Sequence, residues 1–332
     1  MRFLFLLIFF YSSVSFSEEF SLTIKQKNFL NIIKEFDTDL NHLKELYGEE
    51  VYDVGIDIIL KNDCSGIPKL QQGFNTNLNI KFFISDLLTQ GLCFKQDVKL
   101  AMQFMHELAD KHDHGPAHHY LYKAYKYGTL NNVRIVEPNL SEYVKYLVNA
   151  QRHNIAEAKF NYAEELMNGN LILKNEMEAI QLFEEAARDK NINISKRSYL
   201  IIIEYFLKSH IKLLKKSASN ADKKLKVNYD NLDIATSYGK ECANAGYNEC
   251  MLYMPVLLGM YRGVKNYNDK MIEGYMWLIL SKNFYIKDEI KKTALNIEKD
   301  FLNQNIITSQ TKYEAIKRAA NWIPDGMFRY IN

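Results

Sequence analysis

Three tracts of this chain end in glycine and carry matching residues at one spacing. Ile80, Ile84, Ser85, Leu88 and Gly91 align with Ala117, Leu121, Tyr122, Tyr125 and Gly128, and again with Ala158, Tyr162, Ala163, Leu166 and Gly169. The glycines lie 37 and 41 residues apart. A period between roughly 20 and 50 residues marks an array in which each supersecondary unit buries its apolar face only against its neighbours. Each glycine closes a helix-length apolar stripe, the place where a left-handed helix terminus favours that residue.

A second helical stripe follows each glycine. It reads Ala101, Phe104, Leu108 and Ala109 in one copy and Ala179, Phe183, Ala186 and Ala187 in another. Later copies read Ala235, Tyr238, Cys242 and Ala243, then Gly274, Trp277 and Ser281. Small residues at both ends of such a stripe let two helices approach closely, and the aromatic between them fills the remaining space. Asp97 is placed to cap one second helix, and Asn175 with Glu178 forms a capping-box pattern. With 14 glycines and 5 prolines in 332 residues, and apolar residues at three- and four-residue spacing, the chain reads as all-α. Stretches that could be strands, such as Asn132 to Val136, are short and have nothing to pair with.

At these residues the chain resembles the Sel-one-like repeat family, relatives of the tetratricopeptide repeats. Their unit is a small-residue first helix, a glycine turn and a second helix that ends in paired alanines. The resemblance covers about Asn79 to Trp322, and Thr308, Glu314, Ala315, Ala319 and Trp322 are similar to the helix that closes such arrays. It implies a right-handed α-solenoid of helix-turn-helix repeats with a concave face lined by the first helices. An N-terminal helical cap would span 18–77, about five repeats 78–288, and capping helices 289–332. Two departures stand out. Between Ala179 and Ala235 the period swells to 56, and the excess, near 209–228, holds Lys212, Lys215, Lys216, Lys223, Lys224 and Lys226, read as an exposed insertion loop. Pro255 falls inside a first helix, where it removes a backbone donor.

Residues 1–17 have a basic start, an apolar run from Phe3 to Tyr11 and a small-residue tail, the pattern of a secretory signal peptide cleaved after Ser17. That run is about half of what a bilayer-spanning helix needs, so no membrane insertion is expected after cleavage. A secreted or periplasmic chain can keep disulfides, and its four cysteines, Cys64, Cys93, Cys242 and Cys250, allow three pairings. Cys242 ends a second helix and Cys250 opens the next first helix, a spacing similar to that of the cysteine-rich secreted branch of the family. The resemblance implies a Cys242–Cys250 bond, and Cys64 and Cys93 then remain for each other. No C-x-x-C is present to support redox chemistry.

With 42 basic against 40 acidic side chains, nothing in the charge invites nucleic acid or an anionic membrane. Five of the eight histidines, His106, His112, His114, His118 and His119, crowd a short stretch. His106 and Asp110 lie one helical turn apart, and His112 or His114 could complete a zinc or copper site with them. The competing reading is a polar turn between repeats that is rich in histidine, and it is preferred: the stretch lacks the second histidine of a metalloprotease helix. Ser209 to Lys212 and Ser309 to Lys312 match S-x-x-K, but the companion S-D-N and K-T-G motifs are absent, as are the nucleophile elbow, Walker loop and dinucleotide fingerprint.

No catalytic, cofactor-binding or metal-binding residue is therefore assigned, and no cofactor is expected. The 22 tyrosines and 19 phenylalanines divide between core positions, such as Phe104, Phe183 and Tyr238, and candidate groove positions, Tyr120, Tyr127 and Tyr143. The expected function is that of a monomeric, exported scaffold that binds a protein partner or extended peptide segment. The alternatives are binding of cell-wall glycan, or a weak lactam- or metal-dependent hydrolase of the envelope, a class to which some cysteine-rich relatives point.

Overall fold

The computed structural model describes residues 44, 47–189, 191–219, 228–284, 288–303 and 307–323. The expected leader and residues 18–43 of the expected N-terminal cap lie outside the described residues. The helices are α1 (Glu49–Lys61), α2 (Ile67–Gly73), α3 (Leu78–Gln90), α4 (Val98–His112), α5 (Gly115–Tyr127), α6 (Leu140–Arg152), α7 (Ala156–Asn168) and α8 (Glu176–Ala187). They continue with α9 (Ile192–Ser219), α10 (Asp230–Asn244), α11 (Asn248–Gly259), α12 (Tyr267–Asn283), α13 (Asp288–Asn303) and α14 (Ser309–Asn321). The substantial contacts join helices adjacent in sequence or next but one. That nearest-neighbour packing defines a helix-pair solenoid.

The helix ends follow from the residues there. Gly91, Gly128 and Gly169 close α3, α5 and α7 at φ 73°, 72° and 70°, where a side chain would be strained. Asn77, Asp97, Asn139, Asn175 and Thr308 accept hydrogen bonds from the first free backbone N–H groups of α3, α4, α6, α8 and α14. The predicted caps at Asp97 and Asn175 are thus in place, and Thr308 caps the closing helix. Glu178 meets the Asn175 side-chain amide at 2.9 Å, so the box closes through side chains.

The small residues of the second helices are buried. Ala101, Ala109, Ala179, Ala186, Ala187, Ala235, Ala243 and Ser281 all lie in the interior. Gly274 on α12 faces α11 at its proline: a Cβ there would stand 3.2 Å from Pro255 Cα. Glycine at that position lets the two helices close over the proline. At the C-terminal end Trp322 packs edge-on against Trp277 and Phe284, and its ring N–H donates to Asn244 at 3.2 Å. Two hydrophobic cores run through the array, and they meet on α7, which gives Ala158 to the first and Phe160, Ala163 and Leu166 to the second.

Two disulfides clamp the chain. Cys64–Cys93 ties the turn after α1 to the turn after α3, with Cα atoms 5.5 Å apart. Cys242–Cys250 joins the end of α10 to the start of α11, with Cα atoms 5.7 Å apart and both residues buried.

Two expectations are corrected. The excess residues near 209–228 are not simply a loop, because α9 runs 28 residues and carries Lys212, Lys215 and Lys216 as exposed helical positions. The buried stripe continues through Ile202, Ile203 and His210, and lysine is a good helix former, so the helix does not stop at the first charge. Lys223, Lys224 and Lys226 lie outside the described residues. The segment at Asn132 to Val136 does find a partner: β1 (Thr129–Leu130) pairs antiparallel with β2 (Val133–Arg134). The link is Asn131-Asn132, both at positive φ, as a tight hairpin turn requires.

Candidate functional site

The hairpin determines where a ligand could lie. After β2 the backbone N–H groups of Ile135 and Val136 return to the Gly128 carbonyl, at 2.8 and 3.3 Å, and stand that segment beside α4. Between them opens a groove of about 810 Å³. Its apolar floor and wall come from Val98, Met102, Ile135 and Val136, while Lys99, Gln103, Glu107 and Lys111 supply polar groups. Helical spacing puts every α4 member on one face. The groove therefore lies against a second helix, whereas the resemblance places the binding face on the first helices. The physical reason is the hairpin, which adds a wall on that side.

His106 and Asp110, which also line the groove, belong to a hydrogen-bonded chain. His106 Nδ1 lies 2.9 Å from Tyr146 Oη, and its Nε2 3.0 Å from Tyr125 Oη. Tyr146 donates to the Asp110 carboxylate at 3.1 Å, and Lys145 donates to both at 3.1 and 3.2 Å. An ionised carboxylate only accepts, so Tyr146 gives its proton to Asp110 and takes one from His106 Nδ1. Tyr125 then donates to the bare Nε2. Burial works against the Asp110 charge, but hydrogen bonds from Lys145 and Tyr146 outweigh it and hold the carboxyl below its ordinary range. Burial also pushes the Tyr146 phenol up to about 12.

Of the other histidines in the stretch, His112 is exposed, but His114, His118 and His119 are buried. His114 is buried and hydrogen-bonded to Asn79 at 2.9 Å, and burial brings its pKa down to about 4. His119 meets Glu157 at 3.0 Å, and Lys123 approaches the same carboxylate at 3.2 Å, a clamp from α5 to α7. Burial opposes ionisation of Glu157, yet the His119 and Lys123 contacts prevail and set its pKa at about 2. The expected polar inter-repeat turn is thus mostly interior. His106 and Asp110 do lie 3.4 Å apart, but among the described residues neither His112 nor His114 joins them in a ligand group: His114 turns inward to Asn79, and His106 engages Tyr125 and Tyr146.

Three other groups converge instead. Asp113 Oδ1 receives His118 Nε2 at 2.9 Å and His153 Nε2 at 3.1 Å. The two rings stack with centroids 5.7 Å apart. Asp113 is the left-handed C-cap of α4, His118 lies in the first turn of α5, and His153 is the C-cap of α6. Hydrogen bonds from His153 and His118 keep the Asp113 carboxyl below its usual value, while burial is the main influence that lowers His118. His153 escaped the sequence reading because it stands 35 residues beyond His118, at the end of another helix.

The register shows how unusual this is. Lys81 and Lys159 each stand ten residues before the capping glycine of their helix. Each reaches an acid on the following helix, Lys81 to Glu107 at 2.8 Å and Lys159 to Glu185 at 2.6 Å. The same position before Gly128 is His118. There the inter-helix ion pair is replaced by the histidine–aspartate cluster.

The aromatics divide differently from the expectation. Phe183 is buried, but Phe104 and Tyr238 only partly so. Of the candidate groove tyrosines, Tyr120 and Tyr143 are core residues that donate to Thr89 and Glu165, both at 2.9 Å, and only Tyr127, 56% accessible, is exposed. They sit on helix faces turned toward the neighbouring helix. Phenol-to-carboxylate contacts recur along the array, in Tyr47–Asp86, Tyr253–Glu204, Tyr261–Asp233 and Tyr275–Glu298. Among the described residues no hydrogen bond or ion pair joins Ser209 to Lys212 or Ser309 to Lys312. No helix among the described residues is long and apolar enough to cross a membrane.

No family model matches the chain, and no curated protein does. Among solved structures, the chain is similar to a Sel1 repeat protein from Oxalobacter formigenes, at 18% identity over 77% of this chain and 89% of that one, with a TM-score of 0.43. It is also similar to c5321, a protective antigen present in uropathogenic Escherichia coli strains displaying an SLR fold. That second likeness has 12% identity, 77% and 63% coverage and a TM-score of 0.34. The helix-pair solenoid itself stands on the packing described above.

Proposed function

We propose that this chain is an exported repeat scaffold that mediates protein–protein interaction by holding an extended segment of a partner in the groove along α4. The observation that carries the reading is the groove itself: an apolar centre at Met102, Ile135 and Val136 flanked by Lys99, Lys111 and Glu107. An extended segment would seat an apolar side chain in the centre and set charged neighbours against the rim. The leader pattern of residues 1–17 and the two disulfides support a secreted or periplasmic site of action. The working protein is a monomer that begins at Glu18, with an N-terminal cap, about five repeats and closing helices.

Affinity capture from cell-envelope extract tests this, with the mature protein and a Val136→Glu variant as baits. The expected result is a stoichiometric protein partner on the wild type and its loss on the variant, at unchanged melting temperature. Absence of any such partner, or equal recovery on both, overturns the groove reading. Retention of both baits on isolated cell-wall glycan would favour the carbohydrate alternative. Sequencing the mature N-terminus checks the leader, with Glu18 as the expected first residue.

A further inference from the structure

We infer that Asp113, His118 and His153 form a binding site for a divalent transition-metal ion of the zinc class, with three protein ligands and an open fourth position. One ligand atom from each residue lies within 4.8 Å of the others. The two oxygen–nitrogen separations are 2.9 and 3.1 Å. Ligands about 2.0 Å from a tetrahedral zinc ion stand roughly 3.3 Å apart, so the two oxygen–nitrogen separations open by a few tenths of an ångström to admit an ion, while the two ring nitrogens already lie within 4.8 Å of each other. Two ring nitrogens now converge on a single carboxylate oxygen, and an ion between them would take the Nε2 lone pair of each neutral ring, whose proton then sits on Nδ1.

The surroundings are graded as an open metal site requires. His118, 2% accessible, anchors the base, while His153 at 32% and Asp113 at 79% face solvent. Access and a fourth coordination position therefore lie on the same side, as in zinc sites that keep water or an exchangeable ligand.

An independent feature shows that room is made for His153. A Cβ at Gly115 would stand 2.6 Å from His153 Cβ and 2.8 Å from its Cγ. Gly115 is the first residue of α5 and needs no left-handed backbone, so the close approach is what glycine provides there. The helix register adds that repeat copies before and after carry lysine where this one carries His118. Nδ1 of His118 is buried without a partner, so the outer shell that usually stiffens a ligand histidine is missing on that side. The affinity should then be micromolar.

Cobalt(II) and zinc(II) are the probes, each titrated into the metal-stripped full mature chain. Cobalt reads out through the visible absorption of a four-coordinate ion, zinc through calorimetry. The expected result is about one equivalent bound, with affinity at least about tenfold weaker in Asp113→Asn and His153→Gln. Gly115→Ala, which displaces His153 without touching a ligand, weakens binding too, whereas Lys215→Gln, on the exposed side of α9, leaves it unchanged. Circular dichroism confirms that each variant folds. No saturable binding below about 100 μM, or binding indifferent to Asp113→Asn and His153→Gln, overturns the site.

Discussion

Replacing Glu157 by glutamine should loosen the grip of α7 on α5, and the loss should depend on pH in a way that identifies its cause. The carboxylate holds His119 at 3.0 Å and Lys123 at 3.2 Å, and its side chain is 26% accessible. In the folded chain its pKa falls from 4.5 to about 2. At about 1.4 kcal/mol per tenfold change in an equilibrium, that fall corresponds to about 3 kcal/mol, an upper figure for a group with some solvent access. Glutamine keeps the shape and one acceptor but removes the charge, so a loss of roughly 2 kcal/mol is expected at pH 7. Because the folded carboxyl titrates below the unfolded one, its contribution is complete above about pH 4.5 and disappears as pH falls toward 2. At pH 3 the wild type and variant should differ by only about 1 kcal/mol. Equilibrium urea unfolding of both, followed by far-ultraviolet circular dichroism at pH 7 and pH 3, measures the two differences. An equal loss at both pH values, or none at pH 7, would refute the assignment of this clamp to charge.

Cys242→Ser with Cys250→Ser should cost about 2 to 3 kcal/mol by opening a short loop, read as a lower urea midpoint under non-reducing conditions. Gly169→Ala should destabilise by at least about 1 kcal/mol, because φ is +70° and the new Cβ would lie 2.8 Å from Lys174 Cβ. Gly259→Ala, at the end of α11 with nothing within 4 Å, should be neutral or slightly stabilising in the same assay. Tyr275→Phe should cost about 1 kcal/mol, since it removes the hydroxyl that donates to Glu298 at 2.5 Å while Lys282 still pairs with that acid.

The sequence carried the architecture because the features that specify it are local to one helix. Gly91, Gly128 and Gly169 mark left-handed ends, and the alanines at 101, 109, 179, 186 and 187 mark close faces, all readable from spacing alone. The groove wall is partly legible: two adjacent asparagines are a tight-turn signal, but the partner of β2 is only two residues long, too short for any alternation to show. The metal-ligating candidate was legible only in its local half. His118 and Asp113 are neighbours in sequence, whereas His153 comes from a different helix and is brought in by packing of α6 on α5. The same limit applies to the tyrosines: Tyr47 meets Asp86 and Tyr253 meets Glu204 across 39 and 49 residues, distances that no helical period reports. Lysine misled in the opposite direction, since charge alone suggested a loop where Lys212, Lys215 and Lys216 ride the exposed side of α9.

Because the two cores meet on a single helix, α7 is the seam of the molecule. Each side has its own disulfide, Cys64–Cys93 before the seam and Cys242–Cys250 after it. The array is thus a pair of cooperative blocks that share one element, and reduction of either disulfide weakens its own block first. Unfolding should proceed in two steps, through an intermediate in which one block is melted and α7 is kept by the other. The Glu157 clamp joins α7 to the first block, while Phe160 and Leu166 join it to the second, so the order of melting decides which set of contacts on that helix survives.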